Sequence, residues 1–274
     1  MFQFICLSAI SFLVSLIFLK YLLSLLSSSV YTCLNFRNKL LPAGTGLLFP
    51  MVFLVTMVLV AFFGGGSFSK ISSSSLILLV LILGLALLGV LDDLLGDRSI
   101  SGFKGHFGEL ARGKLTTGAL KALGGGILSF FVAAPFSASI VTQIINALVI
   151  ALFINVFNLL DLRPGRALKV FLILGLVISL FSWRGANIWG IFFGPVLVLL
   201  WVDLKEKGML GDVGSNVLGG IVGFSCVINF GWITNFFILV VLIAVNLYSE
   251  NNSISKLIEK VSVLRWFDKL GRKA

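Results

Sequence analysis

The chain has 274 residues, of which 58% are hydrophobic and 12% are charged, and its mean hydropathy is +1.11. A soluble domain cannot bury so much apolar surface, so the composition excludes an ordinary soluble protein and indicates a polytopic membrane protein. The formal net charge of +10 raises the option of nucleic-acid binding, which the distribution of the charges argues against.

Hydropathy predicts about nine membrane-spanning helices, because about 20 apolar residues are needed to cross the hydrocarbon core. The apolar segments are residues 2–26, 46–66, 74–91, 116–133, 138–157, 167–183, 186–202, 213–229 and 231–248. No repeat or soluble domain separates them. We therefore expect an all-α, polytopic membrane helical bundle over residues 1–249, followed by a tail over residues 250–274.

Basic residues fall almost entirely in alternate loops. The odd-numbered loops and the tail carry Arg37, Lys39, Arg98, Lys104, Arg112, Lys114, Arg163, Arg166, Lys169, Lys205, Lys207, Lys256, Lys260, Arg265, Lys269, Arg272 and Lys273. The even-numbered loops hold only Lys70 and Arg184. The positive-inside rule therefore predicts an external N-terminus, cytoplasmic odd loops and a cytoplasmic C-terminus. The net charge thus signals orientation, and no nucleic-acid partner is expected.

The acidic residues, which do not enter that assignment, lie on the same predicted side. They are Asp92, Asp93, Asp97, Glu109, Asp161, Asp203, Glu206, Asp212, Glu250, Glu259 and Asp268. Acidic residues contribute little to topology, so their one-sided placement indicates chemistry at the cytoplasmic face of a multi-pass protein of the cell membrane. A carrier is disfavoured, because carriers bind their substrates and ions near the membrane midplane.

A pair of adjacent carboxylates, Asp92 and Asp93, ends the third apolar segment. The plain interpretation is a helix end that meets water, but adjacent carboxylates repel each other and are more stable beside a cation. Lys114 and Lys121 follow, and Thr116–Gly118 fits a helix start, where free N–H groups favour anions. Carboxylates beside phosphate-binding groups indicate magnesium-assisted phosphoryl chemistry.

Two later loops also carry carboxylates. Asn158 and Asp161 are three residues apart and share one face if their segment is helical. Asp212 lies between Gly211 and Gly214, in a glycine-rich turn from which one carboxylate can reach a metal. The three Asp-bearing loops on one predicted face form a stronger pattern than any one of them.

The order of these motifs resembles the polyprenyl-phosphate sugar-1-phosphate transferases. That family includes phospho-N-acetylmuramoyl-pentapeptide transferase and the enzymes that begin teichoic-acid and O-antigen synthesis. The matching motifs are "DD" at Asp92, "NLLD" ending at Asp161 and "GDVGS" around Asp212, and "NKLLPAGTG" looks like the family's first cytoplasmic loop. The resemblance implies that polyprenyl phosphate in the membrane attacks the β-phosphate of a UDP-sugar and releases UMP.

The resemblance also implies roles for the matching carboxylates. Asp212 would hold Mg²⁺, and Asp92 would deprotonate or orient the lipid phosphate. Asp93 and Asp161 would support the metal and the phosphates as further catalytic residues. Because both substrates are anionic, the metal and nearby lysines would supply most of the electrostatic stabilisation.

The remaining expected contacts concern the substrates. Asn158 would hydrogen-bond nearby, and Lys114 or Lys121 would neutralise phosphate charge. The expected partners are a polyprenyl phosphate lipid, a nucleotide sugar and the membrane, in cell-envelope synthesis, and a homodimer is left open. The alternative function is that of a non-catalytic homologue that binds polyprenyl phosphate or a membrane partner.

The loop after the fifth segment departs from the family pattern. The family's aspartate usually continues as Gly-Leu-Asp-Gly-Leu-Ala, whereas Asp161 is followed by "LRPGRA", so that Pro164 replaces an aspartate of the nucleotide pocket. Arg163 and Arg166 would then form a replaced substrate-binding surface, clamping a phosphate or carboxylate through paired hydrogen bonds. The simpler interpretation is that both are positive-inside signals.

The tail also departs from the family, whose members carry a His-rich loop before a final span. Its apolar residues recur at helical spacing, at Ile254, Leu257, Ile258, Val261 and Leu264. Charged residues fall mostly between them. The pattern predicts a cytoplasmic amphipathic helix lying on the inner membrane surface.

Overall fold

The computed structural model describes residues 2–29, 31–63, 72–96, 105, 108–109, 112–181 and 186–272. Within these ranges the chain is overwhelmingly helical, which confirms the all-α class. The helices are α1 Phe2–Ser27, α2 Leu48–Phe63, α3 Ser73–Leu95, α4 Thr117–Ala133, α5 Ile140–Leu160, α6 Arg166–Phe181, α7 Ala186–Leu204, α8 Gly211–Asn229, α9 Trp232–Asn251, α10 Ile254–Lys260 and α11 Ser262–Lys269.

Eight helices within the described ranges are long and apolar enough to cross a membrane, namely all except α6, α10 and α11. This confirms a multi-pass membrane protein. The predicted segment 167–183 corresponds to α6, whose 16 residues span about 24 Å, less than the hydrocarbon core of about 30 Å. Residues 182–185 lie outside the described ranges, so the ninth crossing and the sides of the termini stay predictions.

Tags at the two termini test the predicted topology. A tag before Met1 should be reached by a membrane-impermeant reagent in intact cells, whereas a tag after Ala274 should be reached only after permeabilisation. The reason is the concentration of Lys and Arg in the odd loops and the tail. Two tags accessible from the same side would require an even number of crossings.

Helix α8 forms the centre of the bundle, because every residue from Val213 to Val227 is buried. It packs against α3 and α5 through glycines that allow backbones to approach closely. A Cβ at Gly89 would overlap the backbone of Val213, and one at Gly219 would overlap the backbone of Ile154. This close packing fixes the position of the N-terminus of α8 between the ends of α3 and α5.

A short antiparallel hairpin, β1 Thr32–Leu34 and β2 Leu40–Pro42, precedes a 3₁₀ turn at Thr45–Leu47. The hairpin turn is stabilised by Asn35, whose side-chain oxygen accepts two backbone N–H groups. The 3₁₀ turn is tied to the segment before α8, because its first two N–H groups donate to the carbonyls of residues 209 and 210 at 3.1 and 3.0 Å. The first loop is therefore anchored beside the start of α8.

The C-terminal tail forms two short helices, α10 and α11, separated at Val261, where the sequence pattern predicts a single helix. Val263 and Trp266 of α11 are exposed, and Asp268 on the same helix is buried. One side of α11 therefore faces the rest of the protein, and Ser255 of α10 and Arg272 after α11 add further contacts. Its location on the inner membrane surface stays a prediction.

Candidate functional site

The ends of four helices bring together side chains from three of the predicted loops. Asp92 comes from the end of α3, Lys121 from the first turns of α4, Asn158 from the end of α5 and Asp212 from the first turn of α8. The Nζ atom of Lys121 lies 2.6 Å from an oxygen of Asp92 and 2.6 Å from an oxygen of Asp212. We refer to these four residues as the carboxylate–lysine cluster.

Asn158 joins the cluster through its side-chain amide. With the amide nitrogen toward Asp212, Nδ2 donates to Asp212 Oδ1 at 2.7 Å, and Oδ1 accepts from Lys121 Nζ at 3.0 Å. We assign this orientation because it places a donor on the carboxylate and an acceptor on the ammonium group. Asn158 therefore connects the acidic and basic members of the cluster.

Asp93 faces the N-terminus of α8, where it accepts the backbone N–H groups of Asp212 and Val213 at 3.1 and 3.4 Å. These are two of the N–H groups that a helix leaves without an internal partner. A carboxylate at this position is also favoured by the helix dipole. Asp93 therefore holds the backbone that carries the Asp212 side chain.

Tyr31 supports Asp93 by donating from its hydroxyl to Asp93 Oδ2 at 2.7 Å. Burial and the neighbouring charge of Asp93 raise the pKa of Tyr31, so its phenol stays a proton donor at neutral pH. Tyr31 is absent from the residues predicted for the site, because no local sequence pattern connects two positions 62 residues apart.

Asp161 ends α5 and lies in a cleft between the hairpin, the α5–α6 loop (residues 161–165) and the segment before α8. Its lining includes Asn35, Phe36, Asp161, Arg163, Glu206 and Leu210. Burial, together with the negative charges of Asp203, Asp212 and Asp93, raises the pKa of Asp161 well above its usual range. A cation bound beside Asp161 would offset these negative charges and favour the ionised carboxylate.

Replacing Asp161 with asparagine should stabilise the protein at neutral pH. A raised pKa means that ionisation of Asp161 costs the folded state free energy as the pH rises, whereas the amide carries no charge. In chelator, the melting temperature of Asp161→Asn should exceed that of the parent by roughly 2–4 °C at pH 7.5, the effect of about 1 kcal/mol in a domain of similar size.

The difference should shrink as the pH falls toward the ordinary pKa of aspartate, because the parent carboxyl then becomes neutral as well. Glu259→Gln, which removes an exposed carboxylate of α10, serves as the control and should leave the melting temperature unchanged. An Asp161→Asn variant less stable than the parent at pH 7.5 would show that the ionised carboxylate is instead stabilised in the fold.

Asp203 is a second residue that the site prediction omitted. Its Oδ2 accepts the backbone N–H of Gly165 at 2.6 Å. Gly165 has φ +72°, a left-handed conformation that glycine adopts without steric cost. Asp203 therefore fixes the end of the α5–α6 loop, and the only sequence signal for it is a lone carboxylate near the end of an apolar helix.

The remaining predicted site residues lie outside the cluster. Arg166 is 4% exposed and binds Asp268 in the tail through two hydrogen bonds, of 2.7 and 3.1 Å. The guanidinium of Arg163 lies 4.6 Å from the centre of the Phe36 ring. Lys114 is exposed before α4, and within the described residues no hydrogen bond joins its side chain to the cluster. Of the four predicted cationic site residues, all of which the structure describes, only Lys121 contacts Asp92 and Asp212.

The donor set of the cluster fits magnesium. Mg²⁺ prefers oxygen ligands and is usually held by one or two protein carboxylates, with substrate phosphates completing its shell. Asp92 and Asp212 supply two carboxylates that converge on a single cationic group, the ammonium of Lys121. Among the described residues, no group of three or more His, Cys, Asp and Glu residues is arranged to hold a metal by itself.

Neither the scan against family models nor the search of curated proteins found a match for this chain. The family resemblance therefore stays a hypothesis that rests on the order of the motifs. The geometry of the cluster is an independent property of the fold, since it is defined by distances between described side chains.

Proposed function

We propose that this protein is a divergent membrane glycosyl-1-phosphate transferase that moves a sugar phosphate from a nucleotide sugar to polyprenyl phosphate. The observation that carries the proposal is the convergence of Asp92, Lys121, Asn158 and Asp212 from four helix ends. These residues come from the loops whose motif order resembles that family. The proposal places the reaction at the cytoplasmic face, because the basic loops and the acidic residues share one predicted side.

The proposed reaction exchanges one phosphoanhydride for another. An oxygen of the lipid phosphate forms a bond to the β-phosphorus of the nucleotide sugar, and the bond from that phosphorus to the bridging oxygen breaks. The nucleoside monophosphate leaves with the bridging oxygen, and the sugar phosphate remains on the lipid as a diphosphate. No oxidant or reductant is needed.

The charge of the cluster supports a role for a divalent cation. Two carboxylates and one ammonium leave a net charge of about −1, which repels two phosphate-bearing substrates. When bound, Mg²⁺ would coordinate phosphate oxygens and neutralise the charge that develops on the leaving group. Asp212 would hold it, with Asn158 hydrogen-bonded to Asp212.

The protein's own residues would orient the two substrates. Asp92, near the C-terminal end of α3, would accept a proton from the lipid phosphate or orient its attacking oxygen. Lys121 reaches both carboxylates and donates to phosphate oxygens once they enter the cluster. Asp93 keeps the start of α8 in place while these contacts change.

The test is to incubate the purified protein with Mg²⁺, polyprenyl phosphate and a panel of nucleotide sugars, and to measure lipid-linked product and released nucleotide. We expect equal amounts of the two products with at least one donor, and none with chelator. Lipid binding without product would support the non-catalytic alternative. Product formation that survives complete removal of divalent cations would contradict the metal assignment.

A further inference from the structure

The tail contacts the α5–α6 loop and the start of α6 through three buried charged residues and one partly buried arginine, Arg166, Lys169, Asp268 and Arg272, which we call the tail contact. Arg166 donates to Asp268 at 2.7 and 3.1 Å and also to the hydroxyl of Ser255 at 2.8 Å. Arg272 donates to the same carboxylate at 2.9 and 2.6 Å. One carboxylate thus holds two guanidinium groups.

Lys169 completes the contact by donating to the backbone carbonyls of Phe267 and Asp268 at 3.0 and 2.9 Å. These carbonyls lie at the C-terminal end of α11, where a positive charge is favoured. Arg166 and Lys169 lie in the first turn of α6, where the helix dipole disfavours cations. The carboxylate of Asp268 offsets that charge, so the contact satisfies both helix ends.

Asp268 is ionised in this contact. Burial opposes its ionisation, but the hydrogen bonds from Arg166 and Arg272 outweigh burial and lower the pKa of Asp268. Arg166, Lys169 and Asp268 are 4%, 6% and 7% exposed. The ion pair of Arg166 and Asp268 is therefore buried in the protein, unlike the exposed ion pair of Arg112 and Glu109.

The tail contact extends into the loop that begins at Asp161. Arg272 donates from Nε to the carbonyl of Pro164 at 2.9 Å, and the next residue, Gly165, is held by Asp203. Both ends of the five-residue loop are thus fixed, one by α5 and the other by the tail and α7. The loop also forms one wall of the cleft that contains Asp161.

We propose that Asp268 is a positioning residue, which acts through Arg166 and Arg272 to hold the α5–α6 loop and thereby fixes where Asp161 lies in the cleft that this loop lines. This inference rests on the proposed function and on the role that the family resemblance implies for Asp161, namely support of the metal and the phosphates. Attachment of the tail alone would not require three buried charges, because buried ion pairs add little stability compared with apolar packing. Their directional hydrogen bonds instead select one conformation of the loop.

The test compares Asp268→Asn, Asp268→Glu and the control Glu259→Gln in the full-length protein. Glu259 is an exposed carboxylate in the same tail, on α10. The first measurement is amide hydrogen exchange of the peptide covering residues 161–169. The second is the Mg²⁺ concentration that gives half of the maximal rise in melting temperature, which needs no turnover and is independent of the fraction of active protein.

Asp268→Asn should accelerate exchange in residues 161–169 and raise the half-saturating Mg²⁺ concentration by about 10–100-fold, the usual effect of losing a residue that orients a metal ligand. Asp268→Glu should recover part of this affinity, and Glu259→Gln should match the parent. Turnover, where present, should show the same shift in Mg²⁺ dependence.

Unchanged exchange in Asp268→Asn would show that Asp268 does not hold the loop. Faster exchange with an unchanged Mg²⁺ response would show that the contact attaches the tail without positioning Asp161. Either result overturns the inference, as does a parent protein that Mg²⁺ does not stabilise. The expected shift without turnover on any nucleotide sugar would leave the inference standing and refute only the transferase proposal.

Discussion

Replacing Asp212 with asparagine should abolish Mg²⁺-dependent turnover while leaving the protein folded. The substitution removes a charge at the centre of the cluster, 2.6 Å from the ammonium of Lys121. The hydrogen bonds to Asp93 that fix the start of α8 use the backbone N–H groups of residues 212 and 213, and these remain. We expect a loss in rate of at least about 100-fold, comparable to the loss of one preorganised electrostatic group.

The measurement is the initial rate of lipid-linked product formation over a range of Mg²⁺ concentrations. The melting temperature in chelator reports whether the variant is folded. Glu259→Gln is the matched control, since it removes an acidic charge from an exposed position. A folded Asp212→Asn variant with the parent's rate would exclude Asp212 as a metal ligand.

Replacing Lys121 with methionine should have the largest effect on stability. The ammonium is mostly buried and bridges Asp92 and Asp212, so its removal leaves two partly buried carboxylates without their cation. Removing one partner from a buried ion pair costs about 3–5 kcal/mol. The melting temperature of the variant in chelator should therefore fall, and added Mg²⁺ should restore it more than it stabilises the parent.

Lys114→Met is the matched control, because it makes the same substitution at an exposed lysine of the preceding segment. Its melting temperature should equal that of the parent, with the same response to Mg²⁺. A Lys121→Met variant that is destabilised and does not respond to Mg²⁺ would show that the carboxylates require the lysine itself and cannot exchange it for a metal.

The convergence of the cluster follows from features that the sequence displays. Asp92, Asn158 and Asp212 each lie within a few residues of a helix end, and the charge distribution predicts that those ends share one face of the membrane. Helix ends on one face of a compact bundle are close together, so their polar side chains meet. The pattern could not assign the partners, because distances between helices depend on packing, here on the glycines of α3 and α8.

The separate surroundings of Asp92 and Asp93 illustrate this limit. Neighbouring residues on a helix point about 100° apart, so one carboxylate faces Lys121 and the other faces the start of α8. The family resemblance implied a catalytic role for each of them, Asp92 on the lipid phosphate and Asp93 on the metal and the phosphates. For Arg166 the sequence predicted a clamp on a phosphate or carboxylate of the substrate, whereas the structure shows its guanidinium bound to Asp268, 102 residues away in the same chain. No local pattern connects residues so far apart.

The separation of Arg166 from Asp268 also bears on how the chain is made. At about 5–20 residues per second, the ribosome takes roughly 5–20 s to add the 102 residues between them. During this interval α6 carries two cations in its first turn with no carboxylate from the tail to compensate them. Its N-terminus must therefore stay hydrated at the membrane surface, and the loop that bears Asp161 can be locked only after the later helices have been inserted.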